Sequence, residues 1–480
     1  MMKRMQHRTL SATVSACWML MPVMAQTIVP EPPKSATVPT ATPPAAVPPA
    51  TSAPPPSSAT PPTPPTNPAP AANPAPPPRL DKPSPLGVKP DWTALREFDQ
   101  TLSRAEFEAA AKNVYLDTSP FLPPWRTDID GVSVQTGDPA SPEMRIAFTT
   151  RARAESSATR TWRRAADLPP LKGRPPLSDI HFAIDAGHIG GGYAVMEERF
   201  LSFAPGESIQ EGNLTLLTAQ VLAERLKVLG AYVSLVRERQ EPVTSRRPAN
   251  FTDTARQILT ESGFPQAQES YAGLTGDAKI ITVQWQSEKL FYRVAEIHAR
   301  AKKINETIKP DVVLCLHYNA EAWGDPVTPR FSPANHMHVL VNGCYSPNEL
   351  QQSDVRFEML RRIFSHMHEE ELPLAEAVAD GLHASTGLPA YVYTTPNARH
   401  VGNSAYVYAR NLLANRIYQC PVVYLEPYVM NHEETYRRLL NGHFIGRTLI
   451  AGKLQTSVIE DYVRGVVNGV LDYYQKNRPQ

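Results

Sequence analysis

The chain has 480 residues, with 48 Lys and Arg against 47 Asp and Glu. So even a balance excludes a global field that would draw it to nucleic acid or to an anionic membrane, and partners must be read from local sites. More than 380 residues follow a low-complexity N-terminal region, enough for one large core and a smaller module.

Lys3, Arg4 and Arg8 precede a mostly apolar stretch through Trp18, Met19 and Leu20, and Val23-Met24-Ala25 has the small-residue pattern of a signal-peptidase site. Residues 1–25 therefore read as the signal peptide of an exported protein of the periplasm or cell envelope. Cys17 offers a lipoprotein attachment point, but the apolar stretch runs past it, which favours cleavage after Ala25. No later run reaches the roughly 20 apolar residues that a membrane span needs. Residues 26–90 are almost entirely Pro, Ala, Thr and Ser, with about half of the 49 prolines, and predict a disordered linker that buries no core. After cleavage Cys315, Cys344 and Cys420 remain, so at most one internal disulfide forms and the fold is not framed by disulfides.

Residues 91–171 predict a small α+β module of unknown role. Ser103 with Glu106 three residues on is a capping box, Phe107, Ala110, Ala111 and Val114 give a helical apolar face, and the β-like runs "GVSVQ" and "MRIAFTT" follow. From 172 to 480 the pattern becomes α/β. "IHFAIDA" reads as a buried strand, a helix with Leu214, Leu217, Val221, Leu222, Leu226 and Leu229 stops at Gly230, and "AYVSLVR" supplies the next strand. A strand–helix–strand order predicts a mostly parallel sheet flanked by helices. "DVVLCLH" and "PVVYLEP" are further interior strands, "HMHVLVNG" is another, a helical stretch over 348–383 is expected to break at Pro373, and "SVIEDYVRGVVNGVLDYY" returns to helical periodicity.

Gly187, Gly190, Gly191 and Gly192 surround His188 at the end of the first of these strands. A phosphate cradle is excluded, because neither dinucleotide nor P-loop spacing is present and the next helix is too far away for its N-terminus to face the loop. Ligands of open parallel sheets sit at the carboxyl ends of strands, and those ends here carry His188, His317 and Glu426, with Glu211 just before a helix expected near Asn213. Two imidazoles and two carboxylates on one sheet edge suit a hydrolytic zinc site. Two His and one Glu leave a position open for water, and a further carboxylate takes the proton.

"FAIDAGHIGG", "EGNLTLLTAQVLAERLKVLGAYVSLVR", "VVLCLHYNAEA" and "PVVYLEPYVMN", in that order over roughly 180–474, resemble the four blocks of the zinc-dependent N-acetylmuramoyl-L-alanine amidases (amidase type 3), which cleave peptidoglycan. The resemblance implies one Zn²⁺ on His188, Glu211 and His317, Glu426 as the catalytic carboxylate, and Asp185 and Asn319 as supports that orient ligands. Ile189 interrupts the Gly-His-Gly-Gly that is usual in the family, and Cys315 stands where a small hydroxyl residue is usual; packing is its expected role. The implied activity is hydrolysis of the amide between N-acetylmuramic acid and the L-alanine of the stem peptide. A zinc peptidase acting on stem-peptide bonds and a non-catalytic wall-binding module are the alternatives.

Glu197, Glu198 and Glu207 compete with Glu211, which alone falls in register with the helix block. Glu433 and Glu434 follow Glu426, but Asn431 with Glu434 reads as a capping box. His336 with His338 and His366 with His368 lack the geometry of chelating pairs and are expected on the surface or lining a cleft. "MHEEELP" reads as a solvated helix end. The stretch 346–371 exceeds what a connector needs; some members of the resembling family carry a helix near here that covers the site until a partner displaces it, which implies a lid and an activator protein.

Overall fold

Runs such as Phe182–Ala186 and Val312–Leu316 have no polar face, and burying both sides of an extended segment places it inside a sheet. The computed structural model describes residues 80–150, 160–324 and 329–480. The expected signal peptide, Cys17 and the linker as far as residue 79 lie outside them. In chain order the strands are β1 (Trp125–Thr127), β2 (Gly131–Asp138), β3 (Ser141–Ala147), β4 (His181–Ala186), β5 (Phe200–Ala204), β6 (Glu207–Gln210), β7 (Tyr232–Leu235), β8 (Val312–Leu316), β9 (Met337–Val341), β10 (Arg399–His400), β11 (Val407–Ala409), β12 (Val422–Pro427), β13 (Thr448–Ile450) and β14 (Lys453–Gln455).

Seven of them form one sheet in the order β10-β11-β9-β12-β8-β4-β7. Pairing is parallel through β7, β4, β8 and β12 and between β9 and β11; β12–β9 and β10–β11 are antiparallel. The expected mostly parallel sheet flanked by helices is present. Alternation along the strands separates two faces. Ile184, Leu314, Val423 and Val339 pack with Leu222, Leu226, Val378 and Val466 of the helices 211–228, 368–386 and 458–477. Ala183, Val313, Cys315, Leu340 and Tyr424 face Ala301, Ile304 and Ala414 on the other side.

The helix 211–228 starts two residues earlier than its apolar pattern suggests, at Glu211 itself. It ends in a Schellman turn: Gly230 has φ +96°, its N–H donates to the Lys227 carbonyl, and Ala231 donates to Leu226. Ser103 and Glu106 form the expected capping box, with reciprocal bonds of 3.3 and 2.9 Å. β1, β2 and β3 make a separate antiparallel sheet, and Trp92, Phe98 and Phe107 from this part of the chain stack on Phe357 and Phe364. The end of the proline-rich stretch is also anchored, since Ser84 N–H donates to Asp354 at 2.7 Å.

Several local expectations fail for tertiary reasons. The break in the helical stretch 348–383 falls at His366, with φ +57°, and Pro373 lies inside the helix 368–386. At the sixth position of that helix Pro373 removes one backbone bond, to the Glu369 carbonyl, and the helix continues through it. His366 is buried, with its ring bonded to Glu369 and to the Thr101 carbonyl. "MHEEELP" is not solvated: Glu371 is fully buried, ion-paired with Arg362, and accepts from Val422 N–H at 2.7 Å. Asn431 caps nothing. The helix 433–440 has His432 as N-cap, and the buried Asn431 amide bonds both the N–H and the carbonyl of Glu321. Cys315, Cys344 and Cys420 are all buried free thiols.

Candidate metal centre

The site is built where β4 and β8 stop. His188 lies two residues past β4 with φ +57°, a left-handed conformation that turns its ring back over the strand ends. His317 directly follows β8, and its ring stacks on Tyr424 of β12 at 4.4 Å between centroids. Glu211, at the first position of its helix, reaches between the two imidazoles. His188 Nε2 lies 3.3 Å from one carboxylate oxygen, and His317 Nδ1 lies 3.1 Å from the other. Potential ligand atoms of the three residues all fall within 4.8 Å of one another.

Close backbone approach explains one glycine here. A Cβ on Gly187 would come within 2.6 Å of His317 Nδ1 and nearer still to Cε1 and Nε2. Gly192, by contrast, faces open space.

Glu426 projects from β12 into the same cavity, which has a volume of about 600 Å³ and is lined by all four predicted site residues. Burial and the neighbouring Glu211 carboxylate push the Glu426 carboxyl up to about 8. Burial alone would raise Glu211 as well, but the His188 ring, the hydrogen bond from His317 and the Arg199 guanidinium hold it down at about 2. The acidities of two neighbouring carboxylates are thus shifted in opposite directions by their surroundings.

The supporting shell contains residues that motif reading ranked lower or missed. Glu197, considered above as a rival ligand, is buried beside His188 Nδ1 at 3.5 Å and accepts from the N–H groups of Ile189 and Gly190 at 3.0 Å. Burial works against its ionisation, yet these partners keep its carboxyl below the ordinary range. It therefore fixes the His188 ring with Nε2 turned toward Glu211. Glu198 instead pairs with Lys279, and Glu207 is exposed on β6.

Asp185 supports the loop indirectly. It accepts from Arg300 at 2.8 Å and from Tyr418 at 2.6 Å, and Arg300 in turn donates to the carbonyls of Ala186 and His188. Asn319 lines the cavity and its side chain accepts from Ala320 N–H. Arg199 pairs with Glu211 at 3.1 Å. No spacing rule marks Arg199, which lies in the loop between two motifs, or Arg300 and Tyr418, which arrive from segments more than 100 residues from the Asp185 they hold. Cys315 packs in the core below the site, its thiol pushed well up by burial. His338 lines the cavity, and His336, also buried, bonds Glu321.

The stretch 346–371 contributes no residue to the cavity lining. Its helix 353–364 buries Val355, Met359, Leu360, Ile363 and Phe364 completely, so it is a packing helix in place of the expected cover. Beyond the strand ends, the cavity is walled by residues from 292–300, 317–321 and 410–414 and by His338, Tyr391 and Tyr393.

The donor set fits a divalent transition metal. Two imidazoles and a carboxylate, each braced by a partner, are the ligands that hydrolytic zinc sites use, with room left over the cavity for water.

No family model matches the chain, and no curated protein sequence matches it. Several solved amidase structures align with it. The CwlD amidase of Clostridioides difficile, in complex with the GerS lipoprotein, aligns at 13% identity over 62% of this chain and 100% of its own, with a TM-score of 0.35. The N-acetylmuramyl-L-alanine amidase Ami1 of Mycobacterium abscessus aligns at 15% over 62% and 99%, TM-score 0.32. AmiC2 of Nostoc punctiforme aligns at 12% over 62% and 99%, also at 0.32. The fold assigned here stands on strand order, and the chemistry on side-chain geometry.

Proposed function

We propose that the protein is an exported peptidoglycan hydrolase that cleaves the amide between N-acetylmuramic acid and the L-alanine of the stem peptide. The observation that carries this reading is the convergence of His188, Glu211 and His317 on one point of a cavity whose floor also presents Glu426. The sequence resemblance supplies the substrate.

His188, Glu211 and His317 would hold one Zn²⁺. Bound there, the ion supplies Lewis-acid polarisation of the amide carbonyl and acidifies water. Glu426 accepts the proton of the attacking water and returns it to the departing amine. Glu197 keeps His188 in one tautomer and orientation throughout, and Tyr424 holds the His317 ring against rotation. Among the described residues no helix is long and apolar enough to cross a membrane. The signal-peptide pattern supports export to the envelope, where peptidoglycan lies.

The test is incubation of the purified protein with peptidoglycan while new free N-terminal alanine is assayed. Alanine amines should appear, vanish with chelator and return with zinc. Glu426→Gln should bind zinc and lose activity; full hydrolysis by that variant refutes the role of Glu426. New amines from other residues would indicate a stem-peptide peptidase, and sedimentation with wall sacs without release would indicate a binding module.

A further inference from the structure

The cavity extends beyond the metal ligands, and its lining mixes carboxylates with arginines. Most of its ionic groups are paired: Asp185 with Arg300, Glu211 with Arg199, and Glu321 with His336. Among the described residues Arg293 and Arg410 have no such partner, and of the two Arg293 is exposed while Arg410 is half-buried. Arg410 follows β11 and lines the cavity, yet among the described residues no carboxylate lies within ion-pair distance of it. Its guanidinium rests 5.7 Å over the Tyr393 ring and donates to the Tyr393 hydroxyl at 3.4 Å. That hydroxyl lies 3.1 Å from His338 Nε2. His338 is the cross-strand partner of Glu426 and is buried, and its Nδ1 has no hydrogen-bond partner.

An arginine held against an aromatic face, with its fork left over for a planar acceptor, is the arrangement that recognises carboxylates. Arg410 is half-buried with no carboxylate at ion-pair distance among the described residues, so its fork is open to an arriving anion. Spacing says where that anion sits in a substrate. β11 is two strands from β12, so it stands roughly 10 Å from the strand that carries Glu426, and an extended peptide covers that distance in about three residues. The arginine side chain reaches back over part of it.

We propose that Arg410, with Tyr393 and His338, forms a subsite for a carboxylate of the departing peptide, one or two residues beyond the alanine whose amine is released. The inference rests on the amidase reading and names its substrate class more closely: a stem peptide with a free acidic group near the cleavage point. Amidation of that group removes the charge the subsite is built to meet.

Calorimetric titration of the full chain with L-alanyl-D-isoglutamate and with its carboxamide form tests this. The free carboxylate should bind at least about tenfold tighter, as expected for one charge-assisted bond of roughly 1.5 kcal/mol or more. Arg410→Gln should abolish the preference, and Arg437→Gln, a surface control that lies in a helix remote from the cavity lining, should keep it. Tyr393→Phe removes only one hydroxyl and should weaken the preference partially, which serves if Arg410→Gln misfolds. Equal binding of the two peptides, or a preference that survives Arg410→Gln, overturns the proposal. The two readings fail separately: alanine release without a carboxylate preference removes the subsite alone, and a carboxylate preference without alanine release removes the amidase reading alone.

Discussion

Gly187→Ala asks whether the metal centre depends on one missing methyl group. The added Cβ would lie 2.6 Å from His317 Nδ1 and closer to two other ring atoms, whereas ordinary contact begins near 3.4 Å. The ring must therefore retreat by at least 0.8 Å, the difference between those two distances. It has little room to do so, because Tyr424 stacks on its other side at 4.4 Å and Glu211 is fixed by the Tyr318 N–H at 3.2 Å. Metal–ligand distances tolerate about 0.2 Å, so a shift of this size removes His317 as a ligand, and metal affinity should fall by at least about 100-fold. Gly187 lies outside the left-handed region, so alanine brings no backbone strain of its own and the metal-free fold should survive. Competition against a calibrated chelator measures the affinity, and the melting temperature of the metal-free protein checks the fold. Gly192→Ala is the control, since its Cβ meets nothing. Zinc affinity of Gly187→Ala within threefold of wild type would refute the argument.

Glu197→Gln keeps the side-chain shape but removes the charge beside His188, and should lower zinc affinity by about 10- to 100-fold in the same competition assay. Arg362→Leu leaves Glu371 buried without its partner and should destabilise the fold by about 3–5 kcal/mol in urea melts, while Arg225→Leu, at an exposed pair with Glu460, should cost under about 1 kcal/mol. Burial, then the neighbouring His336 and Arg410, lower the His338 imidazole to about 3. The unfolded chain takes up that proton near pH 6.5, so the contribution of neutral His338 to stability is complete above this pH and is lost as pH falls toward 3. The full loss is on the order of 4 kcal/mol. Urea melts at pH 7 and pH 4.5 should show a smaller acid loss in His338→Gln than in wild type. Deletion of 353–364 should unfold the protein, because that helix is part of the core; a folded deletion with raised activity would restore the lid.

Much of the architecture was legible locally. Continuous apolar runs marked β4, β8 and β12, and the leucine periodicity with Gly230 at its end marked the helix 211–228, because backbone geometry and burial impose those periods directly on sequence. His188, His317 and Glu426 were singled out because a parallel sheet brings its strand ends to one edge, whereas Glu211 was singled out by its register with the helix block of the resembling family. What could not be read was which charges are buried and with whom. "MHEEELP" looks solvated until Arg362 meets Glu371, and Asn431 looks like a cap until it bridges Glu321. The stretch 346–371 has the length of a cover, yet its apolar side faces Phe98 and Phe107 from a segment some 250 residues earlier. Sequence by itself determined the interior strands β4, β7, β8, β9 and β12, the face of the helix 211–228 and the three groups at the strand ends, since each depends on spacing along a single element. Only the tertiary structure decided that Glu197 and not Glu198 braces His188, that Arg300 and Tyr418 hold Asp185, and that Arg410 stands in the cavity without a carboxylate. Those facts depend on distances between segments that no local pattern encodes.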